Sequence, residues 1–201
     1  MKETIGLIAG LLVILSAIPY SIRVYQRKIT PNLVSWGIWS VLGLAILLTY
    51  RSSGATKNIW PAVFSFTNPC IITLLAFWRG ERKPPNKLET FCLFTGVLAI
   101  ITWWFVQDSR SLALYALCLA IVADMVAAIP TVVFLWQTPE ADRPFAWGMF
   151  AFAYTLAIFS IEDHTVANYI LPIWMILASG SITVLLVKYR TRNKLPLGEW
   201  I

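Results

Sequence analysis

Residues 9–79 superpose on residues 120–190 at a constant offset of 111, without a gap. Pro19 falls on Pro130, Gln26 on Gln137, Trp36-Gly37 on Trp147-Gly148 and Pro61 on Pro172, within 13 identities over 71 aligned positions. In so apolar a chain that fraction alone carries little weight. The ordered series Pro, Gln, Trp-Gly, Pro, kept without an insertion, carries more. A chain built this way folds as two copies of one unit with something between them, a plan that points toward a transporter.

The solvent of that fold follows from composition. Of the residues, 58% are hydrophobic and 13% charged, against roughly 25% charged in soluble domains. A soluble fold of this length could not hide so much apolar surface, so a bilayer is expected around it. The net charge of +6 would suit a nucleic-acid binder in a soluble chain. Here basic loops on one membrane face explain it, and no nucleic-acid partner is expected. Cys70, Cys92 and Cys118 all lie in apolar stretches without a Cys-x-x-Cys pair, so neither disulfide nor zinc is suggested, and no cofactor is expected. Met-Lys-Glu leads into an apolar stretch too long for a signal core, and no cleavable signal peptide is expected.

Seven apolar stretches approach the ~20 residues a crossing needs. They run over 4–24, 33–50, 58–78, 88–107, 111–136, 144–161 and 167–188. The fold class expected is therefore all-α, with seven transmembrane helices in a 3+1+3 arrangement. Residues 1–80 form the first three-helix repeat, 81–110 a basic loop and linker helix, 111–190 the second repeat and 191–201 a tail. Three crossings reverse the chain's side of the membrane, so the unpaired fourth crossing lets both copies face the same way.

Charge agrees with this topology. The loops after segments one, three and five, together with the tail, hold Arg23, Arg27, Lys28, Arg79, Arg82, Lys83, Lys87, Arg143, Lys188, Arg190, Arg192 and Lys194. The other side holds only Lys2, Arg51, Lys57 and Arg110. The positive-inside bias places the N-terminus outside and the C-terminus in the cytosol. Compact loops make a bacterial cytoplasmic membrane the expected location. The basic stretch from Arg79 to Lys87 serves chiefly as an orientation signal, with anionic lipid heads as its natural neighbours. Gly6 and Gly10, and the run Ala178-Ser179-Gly180-Ser181, present small faces for close helix packing.

The stretch Ile18-Pro19-Tyr20-Ser21-Ile22-Arg23, with the basic residues after it, resembles the Pro-Gln turn of the SWEET and PQ-loop membrane proteins. Leu33-Val34-Ser35-Trp36 resembles the Ser-aromatic start of their second helix. The resemblance spans nearly the whole chain through the duplication. Tyr20 and Thr131 stand where the family's glutamines would be, so the motifs are degenerate. The resemblance implies sugar or metabolite transport by alternating access, and a pocket asparagine in the third helix, for which Asn68 is the candidate. Proton-coupled exporters of the group use membrane carboxylates.

Four sets of residues stand out. Pro19, Pro61, Pro130 and Pro172 occupy equivalent places in the two copies; a helical proline removes a backbone hydrogen bond and loosens the turn before it, so they are expected as hinges. Asp124 is the one carboxylate deep in an apolar segment, where a charge costs roughly 2.5–3.5 kcal/mol, and proton coupling is expected of it. Asn68 and Ser179 are aligned polar groups in segments three and seven, suited to a hydroxyl-bearing solute, with Ser65 one turn from Asn68. Tyr154 and Trp174 would supply an aromatic wall. No phosphate-binding loop, metal-ligand cluster or nucleophile-base set is present, so an enzyme is not expected. The expected function is SWEET-like transport of a small polar solute, with a seven-helix receptor as the alternative, membrane lipids as neighbours, and self-association open.

Overall fold

Small residues mark the inward face of two of the helices. Along helix α1, Lys2–Tyr25, the buried positions are Gly6, Ala9, Gly10, Val13, Ser16, Ala17 and Val24. Leu7, Ile8, Leu11, Leu15, Ile18 and Ile22 point outward and are exposed. Helix α5, Arg110–Gln137, repeats the pattern, with Ala113, Ala116, Ala120 and Ala123 inside and Tyr115, Val122, Ile129 and Val133 outside. In water this arrangement would be inside out; around a bilayer it lets backbones approach closely and leaves the large apolar side chains to the lipid.

The computed structural model describes residues 1–27, 33–79 and 84–200, apart from the side chains of Arg79, Pro130, Phe134, Ala141 and Glu199. Lys28, Arg82 and Lys83 of the basic loops lie outside the described residues. The remaining helices are α2 Leu33–Ser52, α3 Trp60–Arg79, α4 Lys87–Val106, α6 Pro144–Phe159 and α7 Val166–Arg192, and no strand occurs among the described residues. Six of the seven helices are long and apolar enough to cross a membrane, in keeping with a multi-pass membrane protein. Helix α6 is the short one: its 16 residues rise ~24 Å, below the ~30 Å of a hydrocarbon core.

Helix ends have local causes. Asn86 and Glu89 form a reciprocal capping box that starts α4. Pro144 opens α6 at a position where its missing N–H costs nothing. Helix α2 ends in a Schellman turn: Gly54 N–H bonds the Arg51 carbonyl and Ala55 N–H the Tyr50 carbonyl, with Gly54 at φ +115°.

The helices alternate direction. Lys2 Nζ donates to the Ile161 carbonyl at 2.6 Å, Trp103 Nε1 to Ser52 Oγ at 2.8 Å, and Lys57 pairs with Glu162 at 3.0 Å. These contacts gather the starts of α1, α3 and α5 with the ends of α2, α4 and α6 at one end of the bundle, here the amino end. Ser35 and Glu89, at the starts of α2 and α4, meet at the opposite end. Helix α1 packs on α3 and α6, α3 on α2, α2 on α5, α5 on α7 and α7 on α6, which closes a ring of six. Helix α4 packs on α2 and α5. A core of small and aliphatic side chains from all seven helices fills the bundle.

Candidate functional site

Asp124 sits inside this core rather than against lipid, at 6% exposure. It occupies the slot on α5 that Val13, fully buried, fills on α1. Trp174 of α7 donates its indole N–H to Asp124 Oδ2 at 2.8 Å. One helix away, Tyr154 of α6 and Ser65 of α3 share a hydrogen bond of 2.9 Å, and the Phe150 ring lies 5.2 Å from that of Tyr154. Tyr154 and Asp124 lie within electrostatic reach of each other. Four of the residues expected to bind or couple thus form two neighbouring pairs that join helices α3, α5, α6 and α7.

Ser179 is buried at 2% exposure, and no bond links it to Asn68. Asn68 is half-buried, and its Oδ1 is buried without a hydrogen-bond partner. A buried acceptor left open costs ~1–3 kcal/mol, which makes it a place where a ligand donor would be welcome. Among the described residues no three His, Cys, Asp or Glu side chains converge to hold a metal ion.

Pro19 and Pro130 fall at matching places in α1 and α5, whereas Pro61 and Pro172 differ in place within α3 and α7. Pro19 lies in the last third of α1 and Pro172 in the second turn of α7. Pro61 is the second residue of α3, where a missing N–H breaks no helical bond, so it sets where α3 begins instead of loosening its middle. Pro130 falls within α5, with its side chain outside the described residues. Helix α3 has its internal proline at Pro69, beside Asn68.

A second polar cluster, at the amino end, was not foreseen from the sequence. Tyr50 of α2, Asn58 before α3 and Asn168 of α7 are all essentially buried. The Tyr50 hydroxyl donates to the Asn168 carbonyl at 3.0 Å and accepts from Asn58 Nδ2. Asn58 Nδ2 also reaches Asn168 Oδ1 at 3.3 Å, and Asn168 Nδ2 donates to the Asp163 carbonyl at 2.8 Å. Around this knot run Lys57–Glu162 at 3.0 Å and Arg110–Asp163 at 3.4 Å, both in exposed positions. The knot ties the turn between α2 and α3 to the turn between α6 and α7. Its residues stand at the ends of three separate apolar stretches, and only their polar character in such places was legible beforehand.

Arg190 also departs from its sequence reading. Counted there among the orienting charges of the tail, it is 1% exposed and donates to the carbonyls of Pro139 and Asp142, pinning the turn between α5 and α6.

Comparison with protein-family models, with curated proteins and with solved structures gave no match to this chain.

Proposed function

We propose that the chain is a SWEET-like carrier in which two like-facing three-helix bundles, α1–α3 and α5–α7, move a small polar solute by alternating access. The observation that carries this reading is the shared burial register of the copies. Ala9 and Ala120, Ala17 and Ala128, Val24 and Leu135, Leu42 and Ala153, Ile46 and Ala157, and Thr49 and Ser160 are aligned pairs, and both members of each are buried. The packing order supports it too: exchanging α1 with α5, α2 with α6 and α3 with α7 turns the α1–α6 contact into the α5–α2 contact and returns the same ring.

In this reading α4 is the linker that keeps both bundles in one orientation. The amino end faces outward, by the distribution of basic residues. The Tyr50–Asn58–Asn168 knot and the ion pairs around it hold the outer side shut. The solute contacts Asn68, Ser65, Tyr154 and Trp174 near mid-membrane, and Ser179 approaches it from α7. Loading or unloading a proton at Asp124 changes the hold of Trp174 and biases the rocking of the bundles, for which Pro19 and Pro172 give slack. A monosaccharide or a small zwitterionic metabolite fits a site built of hydroxyls, one amide and two aromatic rings. The motif resemblance raises this reading without fixing the cargo.

Uptake of a panel of sugars, amino acids and vitamins into proteoliposomes at two pH values tests it. Saturable uptake of at least one member is expected. A solute that stabilises the detergent-solubilised protein but never crosses the vesicle wall would replace the carrier with a binding protein.

A further inference from the structure

Two features break the internal symmetry of the chain, and they meet. One is Asp124, whose repeat partner is Val13. The other is α4, which belongs to neither copy. We infer that a narrow water-filled inlet between α2, α4 and α5 runs from Glu89 toward Asp124 and brings protons to that carboxylate from the end opposite Lys2. This rests on the reading of Asp124 as a proton-exchanging group.

A pocket of about 80 Å³ lies there, bounded by Ser35 and Trp39 of α2, Glu89 and Cys92 of α4, and Ala127 and Thr131 of α5. A water needs roughly 10–15 Å³ of such space and two or more polar partners, so the volume holds several waters, with Ser35, Asn86, Glu89 and Thr131 as partners beside the apolar Ile38 and Leu88. The mouth is organised around one carboxylate: Ser35 Oγ donates to Glu89 Oε1 at 2.6 Å, and the Asn86 N–H donates to Glu89 Oε2 at 2.9 Å. Thr131, Ala127 and Asp124 share one face of α5, with Asp124 ~4.5 Å along the axis from Ala127 and ~10.5 Å from Thr131. On α4, Cys92 lies one turn beyond Glu89 and within electrostatic reach of both Glu89 and Asp124. The inner wall of the pocket is therefore one helical turn from the buried carboxylate.

In this inference the pocket between α2, α4 and α5 is the polar exit of Asp124. Trp174 of α7 donates to one oxygen at 2.8 Å, and Cys92 of α4 and Tyr154 of α6 are among its titratable neighbours. Helix α2 brings Ser35 and Trp39 to the pocket, neither of which titrates. The linker helix thus gives the lone carboxylate an access route separate from the seam between the two bundles, where the solute passes.

Single cysteines at Ala127 and Thr131, in a chain carrying Cys70→Ser, Cys92→Ser and Cys118→Ser, report on the inlet. They are challenged with a small, charged, membrane-impermeant thiol reagent in vesicles of each orientation. Labelling from the Glu89 side alone is expected, roughly tenfold or more faster than at Val122→Cys on the lipid-facing side of α5, where an apolar setting keeps the thiol inert. Should the cysteine-free chain not fold, Ala127→Cys and Thr131→Cys in the native chain, read against the labelling of the native chain itself, give the same readout. Infrared spectroscopy of the purified protein, with Asp124→Asn assigning the carboxyl band, then follows the response of Asp124 to a pH jump. A bulky adduct at Thr131→Cys should abolish the fast phase. Labelling without side preference, or a carboxyl response untouched by the adduct, overturns the inlet. Both readouts are independent of solute, so a failed uptake panel leaves the inlet standing, and a failed inlet leaves the carrier.

Discussion

Asp124 is a carboxylate in the position of a core valine, and one indole N–H answers one of its oxygens. Replacing it with Asn keeps the shape and removes the exchangeable charge. Asp124→Asn is expected to abolish pH-driven accumulation in proteoliposomes while solute exchange at equal pH partly survives; unchanged proton dependence would remove Asp124 from the coupling. Tyr50 makes the converse case, a hydroxyl that serves structure. Tyr50→Phe leaves the Asn168 carbonyl without its donor and Asn58 Nδ2 without one acceptor, at a cost of ~1–2 kcal/mol. A lower thermal midpoint in detergent is expected, together with easier opening of the amino end; an unchanged midpoint would show that the knot contributes nothing. Asp124 was legible in the sequence because a lone acid in an apolar stretch has no other excuse. Tyr50, Asn58 and Asn168 were not, because polar residues at segment ends ordinarily face headgroups, and their partners lie up to 118 residues away.

Among elements, α1 against α3 is a close fit. A Cβ on Gly10 would stand 2.6 Å from Phe64 Cδ2 and 2.9 Å from Trp60 Cβ, and one on Gly6 would run into the Lys57 carbonyl. Gly10→Leu is therefore expected to separate the helices, lowering the thermal midpoint and the monodisperse yield. Gly37→Ala, where nothing lies within 4 Å, should keep the yield and leave the midpoint equal or slightly higher. Equal behaviour of the two variants would contradict the packing described. The small spacing of Gly6 and Gly10 announced this contact. The run Ala178-Ser179-Gly180-Ser181 announced one as well, yet Gly180 meets open space and only Ser179 of the four is buried. Composition shows that a backbone could approach and leaves open from which side. Helix spans were readable to within four residues, because apolar runs bounded by charge have sharp ends in a bilayer. That the run at 144–161 yields a helix of only 16 residues was not readable, since the turn at Ser160 and Ile161 is apolar and small enough to pass for helix.

At the scale of the whole molecule, a repeat visible as 13 scattered identities recurs as matched burial along α1 with α5 and α2 with α6. The third helices agree less well: Ile72 is buried where Thr183 is partly open, and Leu186 is buried where Leu75 is partly open. Helix α7 also carries the Asn168 and Arg190 side chains into the interior at its two ends. Alternating access requires the amino end to part and close again while the opposite end does the reverse. Spin labels placed on the turn between α2 and α3 and on the turn between α6 and α7, at the exposed Thr56→Cys and Thr165→Cys, report that distance by pulsed electron resonance. Two distance populations are expected, one short and matching the closed knot, one longer, with Asp124→Asn shifting their ratio. A single short distance, unmoved by pH, by the substitution and by every solute that binds, would contradict a carrier built from two rocking bundles.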